Sequence, residues 1–305
     1  MVLVRALLLA SLAGSVYAET GKLRLTGGIS SVEGVAGGGI TPWAVIGSQA
    51  TDGENGVFAH ASRLRTDDYG LTTLGVGIAL KNTLELTLAR QDLSAAPAQA
   101  LNALGFNVNE GAHLKMDVLG VKLRVAGDAV LNSDTLMPQI SVGMEVKRTQ
   151  AGSIRPVLDF LGSKTSGTDL YVSATKLLLG ERILLNSTLR YTNANQGGLL
   201  GFGASAPGQN SRSWYPEFSA VYLLRRDLAV GAEYRFMPNK LEALGQAAGL
   251  GSGLAQDDWK DIFIAWAPNK NLALAAAYVD LGRVVPGVTG ARKQRGLYAS
   301  AQVAY

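Results

Sequence analysis

His60 and Ser62 are the first residues whose types and spacing could do chemistry. A hydrolase needs a histidine that takes a proton from a serine and is itself held by an acid or amide. Two residues apart on a strand, His60 and Ser62 share a face. Spacing supplies no third member, so the pair is a hint of a lipid hydrolase and not a triad; the chain is not expected to be an enzyme. His113, the other histidine, sits at a loop boundary and reads as a solvated polar residue. With two distant histidines and no cysteine, no transition-metal site is expected. No glycine-rich loop leads from a strand into a helix beside a Lys-Ser/Thr pair, so no phosphate-bearing cofactor is expected either. Asp67-Asp68 and Asp257-Asp258 could hold a divalent cation between lipopolysaccharide phosphates, but they read more simply as solvated loop ends.

A second set of charged residues is more informative because it is periodic. Glu85, Lys122, Arg124, Glu145, Lys147, Arg190, Glu217, Glu233, Arg235 and Asp261 fall within short alternating segments. In 228–237, Leu228, Val230, Ala232, Tyr234 and Phe236 oppose Ala229, Gly231, Glu233, Arg235 and Met237. In 139–147, Ile140, Val142, Met144 and Val146 oppose Gln139, Ser141, Gly143, Glu145 and Lys147. Period two marks strands. If such strands line a membrane barrel, a charge at mid-bilayer on the lipid face costs about 2–4 kcal/mol. The charged parity must then face a lumen. The signs are mixed, which suits cross-strand ion pairs better than an ion filter. Gly75, Gly77, Gly143, Gly231, Ala273, Ala275 and Ala277 share the inward parity and leave room inside.

The elements that must position these charges are strands joined alternately by short and long connections. Tight turns read at Lys81-Asn82, Gly180-Glu181-Arg182, Arg225-Arg226-Asp227 and Pro268-Asn269-Lys270. Long polar or glycine-rich stretches fall near 93–112, 149–168, 193–212, 238–258 and 281–294. That alternation is the pattern of an antiparallel up-and-down transmembrane β-barrel. About fourteen strands are expected, the first two at 22–30 and 43–51 and the last at 295–305. The first two are weak, because Gly37, Gly38, Gly39 and Pro42-Trp43 crowd them. This stretch could instead fold inward as a plug, leaving about twelve strands. In 113–126, Leu114, Met116 and Val118 share one parity and Val121, Leu123 and Val125 the other, so a β-bulge is expected near Leu119-Gly120. Ala98 to Leu104 and Leu241 to Leu250 are rich in Ala and Leu and could form short helices over the mouth.

Composition agrees. The chain of 305 residues is 47% hydrophobic and 17% charged with 37 glycines, yet no uncharged apolar run after residue 18 is long enough for a transmembrane helix. A short apolar run after Arg5, ending in Val16-Tyr17-Ala18, reads as a signal peptide over 1–18, leaving 19–305 as one barrel domain. The small, scattered net charge of +4 gives no nucleic-acid footprint.

The C-terminus closes the case for a barrel. Leu297, Ala299, Ala301, Val303 and Tyr305 follow Gly296 on one face and end in an aromatic at the carboxylate. This is the form of signal that barrel-assembly machinery reads by strand addition. The whole mature chain resembles a proteobacterial family designated domain of unknown function 3034. The resemblance runs through Thr26-Gly-Gly, Val32-Glu-Gly-Val-Ala-Gly-Gly-Gly, Pro42-Trp-Ala and Gly167-Thr-Asp-Leu-Tyr-Val-Ser-Ala-Thr-Lys-Leu. It continues through Asn195-Gln-Gly-Gly-Leu-Leu-Gly-Phe-Gly, Leu228-Ala-Val-Gly-Ala-Glu-Tyr-Arg, Ala265-Trp-Ala-Pro-Asn-Lys, Ala277-Tyr-Val-Asp-Leu-Gly and Gln294-Arg-Gly-Leu-Tyr. It implies the barrel and no activity.

The expected location is the outer membrane of a Gram-negative bacterium, with membrane lipid, lipopolysaccharide and assembly machinery as partners. The leading functional expectation is a porin-like channel for a small solute. A structural or adhesive barrel acting through its external loops is the second, and a lipid hydrolase the third.

Overall fold

A computed structural model describes residues 22, 24–27, 29–95, 98–130 and 135–305. The expected signal peptide over 1–18 lies outside them. Alternating sequences become twelve antiparallel strands in one closed ring. They are β1 (Asn55–Thr66), β2 (Tyr69–Leu80), β3 (Leu84–Ala95), β4 (His113–Ala126), β5 (Gln139–Gln150) and β6 (Ser166–Leu178), followed by β7 (Ile183–Thr192), β8 (Ser213–Arg225), β9 (Leu228–Arg235), β10 (Trp259–Trp266), β11 (Leu272–Arg283) and β12 (Lys293–Ala304). The ring closes where β12 meets β1, from Phe58↔Ala304 to Thr66↔Gly296. Closure pairs every strand edge, which lipid demands.

The count of fourteen is therefore corrected to twelve. The described residues of 22–30 and 43–51 do not join the wall. Within the N-terminal segment the only ladder contacts among the described residues are the single bridges Ser30↔Ala36 and Gly37↔Pro42. Glycines offer no side chains to pack along a strand, and Pro42 has no N–H to give a ladder. The segment turns into the lumen instead, and residues 29–50 are almost wholly buried.

The bulge expected at Leu119-Gly120 is also corrected. Pairing of β4 with β3 runs unbroken from Leu84↔Leu123 to Ser94↔His113, and the irregularity lies at Arg124/Ala126. Leu114, Met116, Val118, Gly120 and Lys122 all point inward, while Lys115 and Asp117 point outward. The apolar residues change face because the upper lumen is itself apolar. Met116 and Val118 pack there on Leu199, Leu71 and Ala89.

Room beside the inward glycines is occupied by rings from the neighbouring strand. Phe58 stands opposite Gly77 and His60 opposite Gly75. Tyr171 stands opposite Gly143, and Phe263 opposite Gly231. A Cβ on Gly77 would lie 2.2 Å from the Phe58 ring, so the glycine is what lets the ring lie flat against the sheet. Ala273, Ala275 and Ala277 pack in one apolar cluster with Trp43 and Val45 of the inserted segment.

Outside, Leu74, Val76, Ile78, Val142, Val146, Leu189, Ile262 and Ile264 are exposed. They form the apolar belt that an outer-membrane barrel presents to lipid. Aromatics flank it: Trp266, Tyr222 and Tyr305 at the end with short turns, Trp214 and Tyr234 at the end with long loops. Beyond the belt, on the side of the barrel that carries the long loops, Arg63, Arg65, Arg90, Lys115, Arg148 and Arg295 point outward.

The long loops carry short helices: α1 (Ala98–Ala103), α2 (Arg155–Leu161), α3 (Leu241–Ala247) and α4 (Pro286–Thr289). Leu101, Ile154, Leu158, Leu161, Leu241, Leu254 and Val285 of these loops form one buried cluster. They make an apolar dome over the barrel mouth.

Candidate functional site: a plug held by buried ion pairs

The described residues of the inserted segment, 24–27 and 29–50, run through the lumen without helix or strand. Some of its backbone groups bond each other, as Val32 N–H does to the Gly39 carbonyl and Trp43 N–H to that of Ala36, and the others must find partners in the wall. On one side Glu85 of β3 accepts from the N–H groups of Ala36 (3.0 Å) and Gly47 (2.6 Å). Lys122 of β4 donates to the carbonyls of Ala36 (2.8 Å) and Val45 (3.0 Å) and pairs with Glu85 at 3.2 Å. On the other side Glu233 of β9 accepts from the Ile40 N–H at 2.8 Å and from the Thr41 hydroxyl. Gln139 and Ser141 donate to the Ala44 carbonyl, and Thr188 to that of Pro42 at 2.7 Å. Wall side chains thus supply the hydrogen bonds that a β-ladder would have supplied. Gly38 makes this fit possible: a Cβ there would lie 1.9 Å from Glu233 Oε1.

The densest contact is ionic and centres on Glu33 of the plug. Its carboxylate meets Lys147 Nζ at 2.5 Å, Arg190 Nη2 at 2.8 Å and Arg235 Nη2 at 3.1 Å. Those three cations also hold wall carboxylates. Lys147 reaches Asp169 at 2.7 Å and Glu145 at 3.1 Å. Arg190 reaches Glu145 at 2.8 Å and Glu217 at 2.5 Å, and Arg235 reaches Glu217 at 3.5 Å. All seven side chains are at most 3% exposed. Oxygens of Glu33, Glu145 and Asp169 lie within 4.8 Å of one another, a spacing that could ligate a cation. Lys147 Nζ bonds all three and takes that place.

The other singled-out residues fall as follows. Arg124 lies near the turn end and pairs with Asp52, just after the plug, at 2.7 Å and with Asp128 at 2.8 Å. Asp261 is buried and stands opposite Glu233 in register. Gly37 and Trp43 are in the plug; the Trp43 indole N–H donates to Ser219 at 2.9 Å. Gly39 lies against Asp261. Leu297, Ala299, Val303 and Tyr305 face outward on the closing strand. A Cβ on Gly296 would lie 1.8 Å from the Arg65 carbonyl oxygen, so that crossing of β12 and β1 admits glycine alone.

His60 and Ser62 do share a face, but it is the buried inner one. Neither ring nitrogen of His60 has a hydrogen-bond partner among the described residues. A lipid hydrolase must present its nucleophile where lipid can reach it, so this geometry gives the hydrolase hint no support. His113 is exposed at the rim against Asp92, at 2.5 Å. Asp68, Asp257 and Asp258 are bonded by Arg292, Arg283 and Tyr234 respectively.

Glu33 and Asp169 escaped the sequence reading. Asp169 carried a usable signal, since it shares the inward parity of Tyr171, Ser173 and Thr175. Glu33 carried none, because its surroundings have no period.

Residues 26–302 match the family described as protein of unknown function (DUF3034), and the chain belongs to that family. A comparison with curated proteins finds no match. Among solved structures, the NanC porin is 8% identical, with 81% of this chain and 98% of that one covered and a TM-score of 0.49. The KdgM porin, in complex with disordered oligogalacturonate, is 8% identical over 81% and 99% of the two chains, with a TM-score of 0.48. An outer membrane channel from Pseudomonas putida F1 is 10% identical over 85% and 97%, with a TM-score of 0.46. At this overlap the likeness carries no functional argument.

Proposed function

We propose that this protein is an outer-membrane barrel of a Gram-negative bacterium that passes a small solute when its own N-terminal segment is displaced from the lumen. The apolar belt, aromatic girdles and outward loop-end cations support the location. On this reading the cations meet lipopolysaccharide phosphates and the short turns face the periplasm.

The observation that carries the reading is the charge balance around Glu33. Lys147, Arg190 and Arg235 face Glu145, Asp169 and Glu217, so this patch of the wall is neutral without the plug's carboxylate. A plug that only filled space would be held as well, or better, by apolar side chains. A polar seat differs in one respect. When the plug leaves, water can solvate the wall charges, which stay paired with each other.

The absence of cysteine makes a reversible lock clean to build. Thr41 Oγ1 of the plug lies 2.6 Å from Ser219 Oγ of β8. In a planar bilayer, the oxidised T41C/S219C protein should be silent and the reduced protein should show discrete openings. A barrel lacking residues 24–50 should conduct continuously. If that plug-less barrel folds and still passes no current, the channel reading is wrong.

A further inference from the structure

Between the plug and the loop dome lies a cavity of about 150 Å³ whose lining includes no charged side chain. Val32 and Ile40 of the plug form its floor, and Leu101, Ile154, Leu161 and Leu254 of the loops its roof. Leu104, Phe160 and Leu250 line it and are also 39–51% exposed, so they mark its opening to the outside. Apolar space of this size stays dry and accepts a single aromatic ring.

Three polar side chains interrupt the apolar lining: Tyr69, whose hydroxyl donates to the Val284 carbonyl at 3.4 Å, Gln196, 5% exposed, and Trp259. Gln196 Oε1 and Trp259 Nε1 are buried without a hydrogen-bond partner among the described residues. An acceptor and a donor left unpaired at an apolar cavity each cost about 1–3 kcal/mol, and a ligand hydroxyl can recover this by donating to the one or accepting from the other. The same floor touches the ion-pair seat. A Cβ on Gly197 would lie 3.7 Å from the Trp259 ring and 3.8 Å from Glu33 Oε1. The Arg235 guanidinium carbon stands 5.4 Å from the Trp259 ring centroid.

We infer that this chamber binds a small, uncharged aromatic molecule carrying one hydroxyl, and that this is the class of solute the barrel admits. The admission step rests on the channel reading; the binding step does not. Sugars and ions are excluded by chemistry, since nothing in the lining could replace their hydration. A full lipid acyl chain is excluded by volume.

The test uses the full chain in lipid nanodiscs with 4-fluorophenol as probe, read by 19F NMR against protein-free nanodiscs. Saturable binding, displaced by toluene and not by benzoate, is expected. Ile154→Trp fills the cavity and should weaken binding at least about tenfold. Should that variant misfold, Gln196→Met keeps the side-chain length and removes the acceptor; it should weaken 4-fluorophenol about 3- to 10-fold and leave toluene unchanged. Absence of saturable binding, equal displacement by benzoate, or wild-type binding in both variants would each overturn the chamber. Conductance measured on the same preparations separates the two readings. A barrel that conducts without binding loses the chamber alone, and one that binds without ever conducting loses the channel alone.

Discussion

Glu33 is a single carboxylate on which three buried cations converge, and its substitution separates holding from filling. Glu33→Gln keeps the shape and removes the charge, while the wall stays balanced. Openings in the bilayer should become more frequent, with little change in the barrel's unfolding midpoint in urea. Lys147→Met acts oppositely, because it strands Glu33, Glu145 and Asp169 around an apolar side chain. That loss of a buried partner should cost about 3–5 kcal/mol in the same urea titration. Sequence alone exposed much of this site. Glu85, Glu145, Lys147, Arg190, Glu217, Glu233 and Arg235 were legible because strand parity is a hard constraint when the other face meets lipid. Glu33 was not, since an irregular segment whose ion pairs all reach distant strands leaves no local period.

Elements show the same division. Strands whose outward face meets the belt were readable from alternation. β4 was misread because its inward face serves two environments: Leu114, Met116 and Val118 meet the apolar upper lumen, and Lys122 meets the plug's carbonyls. A pattern of apolar and charged residues reports a face only where that face has one kind of neighbour. The glycine-ring pairs can be probed directly. Gly77→Ala would bring a Cβ within 2.2 Å of the Phe58 ring, and the overpacking should cost about 1–3 kcal/mol in urea unfolding. At the loops, Asp257 accepts from the Arg283 guanidinium at 2.8 Å and from its backbone N–H at 2.8 Å, tying the 236–258 loop to β11. The Arg283 hydrogen bonds hold the Asp257 carboxyl below the usual carboxylate range. A lowered folded-state pKa means the tie is present above the unfolded value, about 3.9, and is lost as pH falls through the folded one. Proteolytic protection of this loop should therefore survive mild acid and fail only in stronger acid. Asp257→Asn, which cannot ionise, should show the weakened protection already at neutral pH and lose this acid dependence.

At the scale of the whole molecule, one chain supplies wall, dome and plug, and the plug's attachment lies at the turn end beside the closing seam. There the Val57 N–H donates to the Tyr305 carbonyl at 2.8 Å. On β12, Gln302 accepts from the Ser30 hydroxyl at 2.7 Å and donates to the Gly27 carbonyl at 3.2 Å. The twelfth strand therefore touches Gly27 and Ser30 of the plug on its inner face and β1 along its edge. The Ser30 and Gly27 contacts of the plug can form only once β12 is in place, so sealing the ring and seating this part of the plug are coupled. A stopwatch is built into the seam: a chain deleted for 24–50 should finish assembly sooner, seen as earlier arrival of the heat-sensitive compact band on a semi-native gel.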